Sequence, residues 1–225
     1  MQPLLYIQLN MQLVLQNIIP VPLKEKLLQR SSSIWNKQLL FKKGEWIKIN
    51  APSGSGKTTF IHTLYKLRND YEGTVQYDEK DIRQINANDL AVYRQQKISI
   101  VFQDLRLFPN ITARENIELN RVMQTPLYEE NKIDEMAEIV GVAGILQQRA
   151  GLCSYGEQQR IAIIRALIQP FDWLLMDEPF SHLDKDNIAK AAALIAAECT
   201  KRNAGFILTD LDDDAHFNYS NRLQL

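Results

Sequence analysis

The chain is short of cysteine, of net charge and of long apolar runs. Its two cysteines, Cys153 and Cys199, form neither a metal-ligand spacing nor a disulfide framework, so a reducing cytoplasmic compartment fits. The 26 lysine and arginine residues balance 27 aspartate and glutamate residues. That balance argues against a protein held to nucleic acid mainly by phosphate attraction. We therefore expect no nucleic-acid partner.

Nothing in the sequence approaches the run of about 20 apolar residues that crosses a bilayer. The best candidate, Ile161 to Ile168, is interrupted by Arg165. The N-terminus lacks a basic flank and a small-residue cleavage site, so we expect no signal peptide. Residues 1–10 are interpreted as an N-terminal extension or a start-site artefact. If the protein works at a membrane, another chain is expected to supply the spanning helices.

The most informative feature present is a glycine-rich turn between a strand and a helix. A strand pattern, E-W-I-K-I-N, precedes it, and apolar residues at helical spacing follow. This context favours a phosphate-binding loop, in which backbone N–H groups and a helix N-terminus face phosphate oxygens. Lys57 is expected to reach the β- and γ-phosphates and Thr58 to ligate Mg²⁺. The expected nucleotide contacts are Ala51, Pro52, Ser53, Gly54, Ser55, Gly56, Lys57, Thr58 and Thr59.

One position of this loop departs from the strict pattern G-x-x-x-x-G-K-[ST]. Ala51 stands where the pattern has its first glycine. Alanine is small and tolerates most turn geometries with negative φ. We therefore expect a working loop.

The order of the remaining patterns predicts one α/β domain over residues 1–225. Strand-like runs at 12–18, 46–50, 97–102, 173–177 and 205–209 alternate with helix-like runs. The run at 71–78 reads as a strand on an antiparallel flank. Residues from about 104 to 152 show mainly helical spacing, which predicts a helical subdomain inserted in the sheet.

Two acids follow an apolar run near residue 175. Trp173 to Met176 read as a buried strand that ends in Asp177 and Glu178. Such a strand places its acids at the carboxyl edge of the sheet, where α/β ligand sites lie. Asp177 suits a role in holding Mg²⁺, and Glu178 can polarise an attacking water.

The segment from Ser154 to Arg160 has two readings. Ser154 and Glu157 form the S-x-x-E capping box, which stabilises a helix N-terminus without any further function. The same segment resembles the signature of ATP-binding cassette (ABC) ATPases. The order of motifs matches that family too: the phosphate loop, Gln103 in I-V-F-Q-D, the signature, Asp177-Glu178, then S-H-L-D at 181–184. The similarity is greatest to single-cassette ATPases of lipoprotein-releasing, cell-division and macrolide-export systems.

The resemblance implies a P-loop core of ABC type, with a mixed sheet, an antiparallel β flank and a helical subdomain. It further implies Mg²⁺-dependent ATP hydrolysis in a head-to-tail dimer of two like or unlike cassettes. In such a dimer Ser154, Gly156 and Glu157 of one subunit would contact the ATP held by the other. Gln103 would sense Mg²⁺ and the attacking water and link them to the helical subdomain, which would contact an integral membrane partner. Asp184 would lie across the dimer interface.

Three features depart from the family pattern. Asp210 stands where the family has a histidine near the γ-phosphate. We expect its negative charge to slow hydrolysis, and a histidine there to raise the rate. The stretch 18–23 lacks the aromatic residue that stacks on adenine, so Val21 or Leu23 is expected to supply apolar contact instead. Cys153 and Tyr155 replace leucine and glycine of the signature.

The histidines and an acidic run have the chemistry of metal ligands, but plainer interpretations are favoured. His62 is read as a surface or core residue and His182 as interface packing. His216 is not expected to replace the missing histidine. The run 212–214 is read as a solvated helix start. For the whole chain, the alternatives are an ATPase subunit of a membrane transporter or mechanotransmission complex, a non-transport ABC ATPase, and a regulatory nucleotide switch with little turnover.

Overall fold

The computed structural model describes residues 11–211 and 214–225, so the expectations for 1–10 and for positions 212 and 213 lie outside it. Nine strands are described: β1 (Leu13–Pro20), β2 (Gln38–Phe41), β3 (Trp46–Asn50), β4 (Tyr71–Tyr77), β5 (Lys80–Asp81), β6 (Ile98–Val101), β7 (Trp173–Asp177), β8 (Gly205–Asp210) and β9 (Asn221–Gln224). The α-helices of the same residues are α1 (Lys24–Leu28), α2 (Lys57–Leu64), α3 (Ala87–Gln96), α4 (Ala113–Val122), α5 (Asn131–Ile139), α6 (Tyr155–Leu167) and α7 (Lys185–Arg202).

Five of these strands form a parallel sheet in the order β6–β7–β8–β3–β9. Strands β7 and β8 are apolar until their last residues, as expected for strands with both faces covered, whereas β3 carries Lys48 at its centre. The register pairs Asp177 with Thr209 and Asn50 with Asp210. Since parallel strands end at one edge of a sheet, the carboxyl ends of β3, β7 and β8 lie side by side.

Strands β2, β1, β4 and β5 form a second, antiparallel sheet in that order. The antiparallel flank expected from 71–78 is therefore present. The expected α/β core with an antiparallel flank is confirmed, and the parallel and antiparallel pairings form two separate sheets. A register shift in β1 between Gln16 and Ile19 accompanies the positive φ of 51° at Asn17.

The core divides into two clusters of buried side chains, one on each face of the parallel sheet. Alternation along β7 shows this, since Leu174 and Met176 belong to one cluster and Trp173 and Leu175 to the other. Helices α5, α6 and α7 cover the first face. Helix α2 and the antiparallel sheet cover the second face. The edge that carries the phosphate loop is thus held from both sides.

The segment from about 104 to 152 contains α4, α5 and two short 3-10 turns. Thr112 and Glu115 form a complete capping box at the start of α4. Helix α4 packs on α6, which joins the segment to the parallel sheet. No helix among the described residues is long and apolar enough to cross a membrane.

Candidate functional site

A cavity of about 370 Å³ lies at the carboxyl edge of the parallel sheet. Most of its lining comes from residues that the sequence singles out, namely Ser53, Gly54, Gly56, Lys57, Thr58, Thr59, Gln103 and Glu178. Leu23 and Lys26 complete it. The fold therefore brings together three separate motifs, the glycine-rich loop, Gln103 and the acid after β7.

The loop between β3 and α2 has the backbone that its glycines predict. Gly54 and Gly56 adopt φ of 71° and 102°, in the left-handed region that favours glycine. A Cβ on Gly56 would lie 3.1 Å from the Trp35 ring, so the loop also needs glycine for space. Ala51 has no positive φ, and its N–H donates to the Asp210 carbonyl at 3.1 Å. Alanine at this position is therefore compatible with the loop.

Four polar side chains around the cavity are linked to one another. The Lys57 ammonium lies 3.1 Å from Glu178 Oε1 and donates to the Ala51 carbonyl at 3.1 Å. Thr58 Oγ1 donates to Gln103 Oε1 at 3.1 Å. Gln103 Nε2 in turn donates to Glu178 Oε2 at 3.3 Å. The cation, the hydroxyl, the amide and the carboxylate expected from the sequence thus meet at one point.

Asp177, the last residue of β7 and the neighbour of Glu178 in sequence, has a buried carboxylate. Its Oδ1 accepts a hydrogen bond of 2.8 Å from Thr209 Oγ1. Its Oδ2 is buried and has no hydrogen-bond partner among the described residues. A buried carboxylate oxygen without a partner is costly unless something else satisfies it. The oxygens of Asp177, Thr58 and Gln103 are of the hard type that Mg²⁺ prefers. These residues fit the metal that the sequence predicts.

Glu178 is held in a turn by residues that the sequence analysis missed. Its φ of 49° is unusual for a non-glycine residue, and its N–H donates to the Thr209 carbonyl at 2.9 Å. The buried amide of Gln159, on α6, donates to the Glu178 carbonyl at 3.2 Å and accepts from the His182 N–H at 3.1 Å. Gln159 stands between Gln158 and Arg160, and the sequence gives no signal that it is the buried member.

At the start of α6, Ser154 and Glu157 form the capping box that the sequence predicts. The Glu157 carboxylate accepts from the N–H and the hydroxyl of Ser154, and the hydroxyl of Ser154 accepts from the Glu157 N–H. The hydrogen bond from the Ser154 hydroxyl, with that from its N–H, lowers the pKa of Glu157. The residues predicted to contact nucleotide here, Ser154, Gly156 and Glu157, do not line the 370 Å³ cavity. A Cβ on Gly156 would lie 3.0 Å from the His182 carbonyl oxygen.

Tyr155, which replaces a signature glycine, connects α6 to the Gln103 loop of its own chain. Its hydroxyl donates to the Gln103 carbonyl at 3.0 Å. Its ring centroid lies 4.2 Å from that of His182. A second cavity of about 330 Å³ is lined by Thr58, Gln103 and Tyr155, together with His62 and Asp104. The bulky side chain is therefore accommodated between the signature and the loop.

Asp210 has a cationic partner that the sequence analysis did not anticipate. Lys48, in the middle of β3, is fully buried, and its ammonium lies 3.6 Å from Asp210 Oδ2. The same ammonium donates a hydrogen bond to Asp214. A buried lysine in a strand needs a carboxylate partner, and that need was the only signal in the sequence. The sequence does not indicate that Asp210 is one of the partners of Lys48.

Asp214 belongs to this cluster and not to a solvated helix start. It lies outside any helix, which corrects that interpretation for the one residue of 212–214 that the structure describes. Burial alone would raise its pKa, but hydrogen bonds from Lys48 and Tyr219 outweigh burial and hold the pKa below its ordinary value. Burial, and then the hydrogen bond to Asp214, raise the pKa of Tyr219.

The stretch expected to replace the adenine-stacking aromatic folds beside the phosphate loop. Val21 is 52% exposed and does not line the cavity, whereas Leu23 does. Lys26 reaches the loop from α1, with its ammonium 3.1 Å from the Gly54 carbonyl oxygen. No motif marks Lys26 in the sequence. Only the fold brings it to the site.

The remaining candidate residues have packing or capping roles within the chain. His62 lies on α2 with its ring centroid 6.0 Å from that of Phe102, and burial, aided by nearby Arg106, lowers its pKa. Asp184 caps α7 by accepting from the Asn187 N–H at 2.8 Å. The His216 ring packs 5.7 Å from Phe180. Both cysteines are buried and free.

Residues 35–181 match the family model described as ABC transporter. An uncharacterized ABC transporter ATP-binding protein of Thermotoga maritima is 38% identical over 143 residues, or 63% of this chain and 61% of the relative. The uncharacterized ABC transporter ATP-binding protein YvcR of Bacillus subtilis is 33% identical over 175 residues, or 77% of this chain and 68% of the relative. The cell division ATP-binding protein FtsE of Bacillus subtilis is 32% identical over 64% of this chain and 63% of its own length.

Two solved structures of the cassette MJ0796 share the fold. The dimeric structure of this bacterial ABC transporter cassette has a TM-score of 0.76 at 25% identity and covers 89% of this chain and 88% of that one. The dimeric post-hydrolysis state with ADP and Pi has a TM-score of 0.75 at 26% identity, with the same coverage. The chain belongs to the ABC transporter ATP-binding family, with the P-loop α/β fold and the nucleotide-binding loop of that family. It spans 61% of the Thermotoga relative and 47% of two relatives from Mycobacterium tuberculosis.

Proposed function

We propose that the chain is the ATP-binding and ATP-hydrolysing subunit of an ABC transporter or a membrane mechanotransmission complex. One observation carries the proposal. Lys57, Thr58, Gln103 and Glu178 line a single cavity, and the neighbouring Asp177 has a buried carboxylate oxygen without a hydrogen-bond partner among the described residues. Phosphate binding, metal binding and water activation each have a residue of suitable chemistry within this group.

The roles follow from the chemistry of each side chain. Backbone N–H groups of the loop and the Lys57 ammonium would hold the β- and γ-phosphates. Asp177, Thr58 and Gln103 would hold Mg²⁺, which when bound neutralises charge on the phosphate oxygens. Glu178 would accept hydrogen bonds from the attacking water and orient it towards the γ-phosphate. In the structure Glu178 contacts Lys57 and Gln103, so nucleotide binding would have to part the Lys57 contact.

We further propose a head-to-tail dimer, of two like or two unlike cassettes, that sandwiches ATP. The cavity lining of this chain does not include Ser154, Gly156 or Glu157. This supports a role for them in contacting ATP held by a second subunit. The solved relative MJ0796 is described as dimeric. The region from about 104 to 152, as a helical subdomain of a single domain, would contact a separate integral membrane protein. The chain would then sit at the inner face of the membrane through that partner.

The test is phosphate release from Mg-ATP by the purified chain, compared with Glu178→Gln. The amide keeps the shape of the carboxylate but polarises water far less. We expect the variant to bind ATP, to release phosphate at least about 100-fold more slowly, and to elute as a dimer with Mg-ATP. Equal turnover of variant and wild type would remove Glu178 from the mechanism. If the variant binds ATP but stays monomeric, the proposed ATP-sandwich dimer is wrong.

A regulatory switch with little turnover is the second candidate, because Asp210 stands in place of the expected histidine. The two candidates differ in rate. A transporter subunit should hydrolyse ATP faster when its membrane partner is present, whereas a switch should bind ATP and change conformation with little hydrolysis in either condition.

A further inference from the structure

The chain between β1 and β2 folds over the phosphate loop and is fixed there by Trp35. The Trp35 indole N–H donates to the Ser55 carbonyl at 3.4 Å, and its ring packs edge-to-face on Phe60 with 5.8 Å between centroids. The same ring fills the space where Gly56 would carry a Cβ. Through this anchor the segment that contains α1 keeps a defined position beside the loop.

Helix α1 places one lysine on the cavity and another away from it. Lys26 lines the cavity, and its ammonium donates to the Gly54 carbonyl at 3.1 Å. In the part of the chain that the structure describes, no carboxylate lies within ion-pair distance of Lys26. Lys24, two residues earlier, instead pairs with both carboxylate oxygens of Glu72, at 2.7 and 2.8 Å.

We propose that Lys26 is a second cation for the polyphosphate of the bound nucleotide, in addition to Lys57. The inference rests on the proposed nucleotide binding. A lysine ammonium has three donors, and the contact with Gly54 uses one of them. Lys26 is exposed, has no carboxylate partner among the described residues and lies beside the phosphate-binding loop. A polyphosphate bound there would supply the negative charge for its ammonium. The base would rest nearer Leu23, the apolar residue of the same lining.

This contact compensates for an absence noted in the sequence. The stretch 18–23 has no aromatic residue to stack on the base. Leucine contacts a base through apolar area alone and lacks the ring stacking of an aromatic side chain. A charge-assisted contact from Lys26 would restore part of that binding, and unlike stacking it would weaken as salt is added.

The experiment compares Lys26→Gln with Lys24→Gln, which removes the same charge from the same helix. Equilibrium binding of labelled ATP is measured, and inorganic tripolyphosphate serves as competitor. We expect Lys26→Gln to weaken both ligands about threefold to tenfold relative to Lys24→Gln. Lys26→Arg should retain most of the affinity. The difference between the two glutamine variants should shrink when KCl is raised from about 0.05 M to about 0.5 M.

Each other outcome is decisive. Equal ATP affinity of the two glutamine variants overturns the role of Lys26 and leaves the proposed function standing. A loss confined to ATP, with tripolyphosphate unchanged, moves the contact to the base or ribose and overturns the assignment to polyphosphate. A wild-type chain that binds neither ligand overturns this inference and the proposed function together. Thermal unfolding of the three variants confirms that each is folded.

Discussion

Lys48 and Asp210 lie on neighbouring parallel strands and form an ion pair, with 3.6 Å between Nζ and Oδ2, at the edge that carries the phosphate loop. Asp210 also accepts, through its carbonyl oxygen, from the N–H of Ala51, the first residue of that loop. The carboxylate that replaces a histidine is thus bound to the sheet by its side chain and to the loop by its backbone. Its charge faces a fully buried lysine, which also forms an ion pair with Asp214.

The first prediction concerns this pair. From the sequence alone, Asp210→His should raise turnover because it removes a repulsive charge. The pairing with Lys48 leads us to expect the opposite. A histidine would lose the ion pair and crowd a buried ammonium, so the free energy of unfolding should fall by about 1–3 kcal/mol without any gain in turnover. Urea unfolding and turnover at saturating Mg-ATP are the two measurements.

Asp210→Asn is the matched control, because it keeps the shape and removes only the charge. We expect it to be less destabilising than Asp210→His and to change turnover by less than about threefold. If Asp210→His hydrolysed ATP faster than the wild type with an unchanged free energy of unfolding, the carboxylate would face the γ-phosphate as an uncompensated charge.

The second prediction concerns Lys57. Replacement by alanine removes the cation expected on the β- and γ-phosphates and leaves the Glu178 carboxylate without its ion-pair partner. We expect ATP affinity to fall at least about 100-fold, since a buried charge-assisted contact and its electrostatic surroundings are both lost. Binding of labelled ATP measures this. The control is Lys80→Ala, which breaks an exposed ion pair with Asp89 and should leave ATP affinity unchanged. Unchanged ATP affinity of Lys57→Ala would contradict the assignment of the phosphate-binding loop.

The third prediction concerns the Tyr155 hydroxyl. Tyr155→Phe removes the hydrogen bond to the Gln103 carbonyl and keeps the ring contact with His182. One neutral hydrogen bond contributes about 1 kcal/mol, so we expect kcat to fall about fivefold with ATP affinity little changed, because Gln103 is then less well positioned. Steady-state turnover and ATP binding separate the two effects. Tyr93→Phe, on α3, is the control, and a Tyr155→Phe chain with the kcat of that control would show that the hydroxyl has no positioning role.

The fourth prediction concerns pH. Burial lowers the pKa of His62 below its ordinary value of 6.5. The folded state then binds fewer protons at this site than the unfolded state once the pH falls below about 6.5, so stability decreases as the pH drops towards the folded pKa. We expect the free energy of unfolding to fall between about pH 7.5 and pH 5.5 by less in His62→Gln than in the wild type.

Urea unfolding at both values checks this, with His182→Gln as the matched loss of one imidazole elsewhere. If the pH dependence of His62→Gln equals that of His182→Gln and the wild type, the half-buried His62 imidazole contributes nothing to it.

Several elements of this protein could be predicted because their signals are local. The loop from Ala51 to Thr59 declares itself through glycine and lysine spacing between a strand and a helix, and the structure shows the positive φ at Gly54 and Gly56 that this spacing requires. The apolar run ending in Asp177 and Glu178 likewise specifies a buried strand, and β7 spans Trp173–Asp177. The family follows from the order of such motifs along the chain.

Other elements depend on which distant segments become neighbours. Lys48 meets Asp210 because β3 pairs with β8, although the two residues are far apart in sequence. Lys26 reaches Gly54, and Tyr155 reaches Gln103, across 28 and 52 positions. Strand β9 completes the parallel sheet from a four-residue run whose three exposed residues are polar and which gives no clear strand pattern.

The physical reason for this division is the range of the interactions. Turn geometry, helix capping and strand burial are decided by residues within a few positions of one another, so the sequence by itself determined the phosphate loop and the acid pair after β7. The partner of a buried charge is decided by strand order and register, which arise only when the core packs. Tertiary structure alone therefore decided that Asp210 is paired with a buried lysine and that Lys26 faces the cavity.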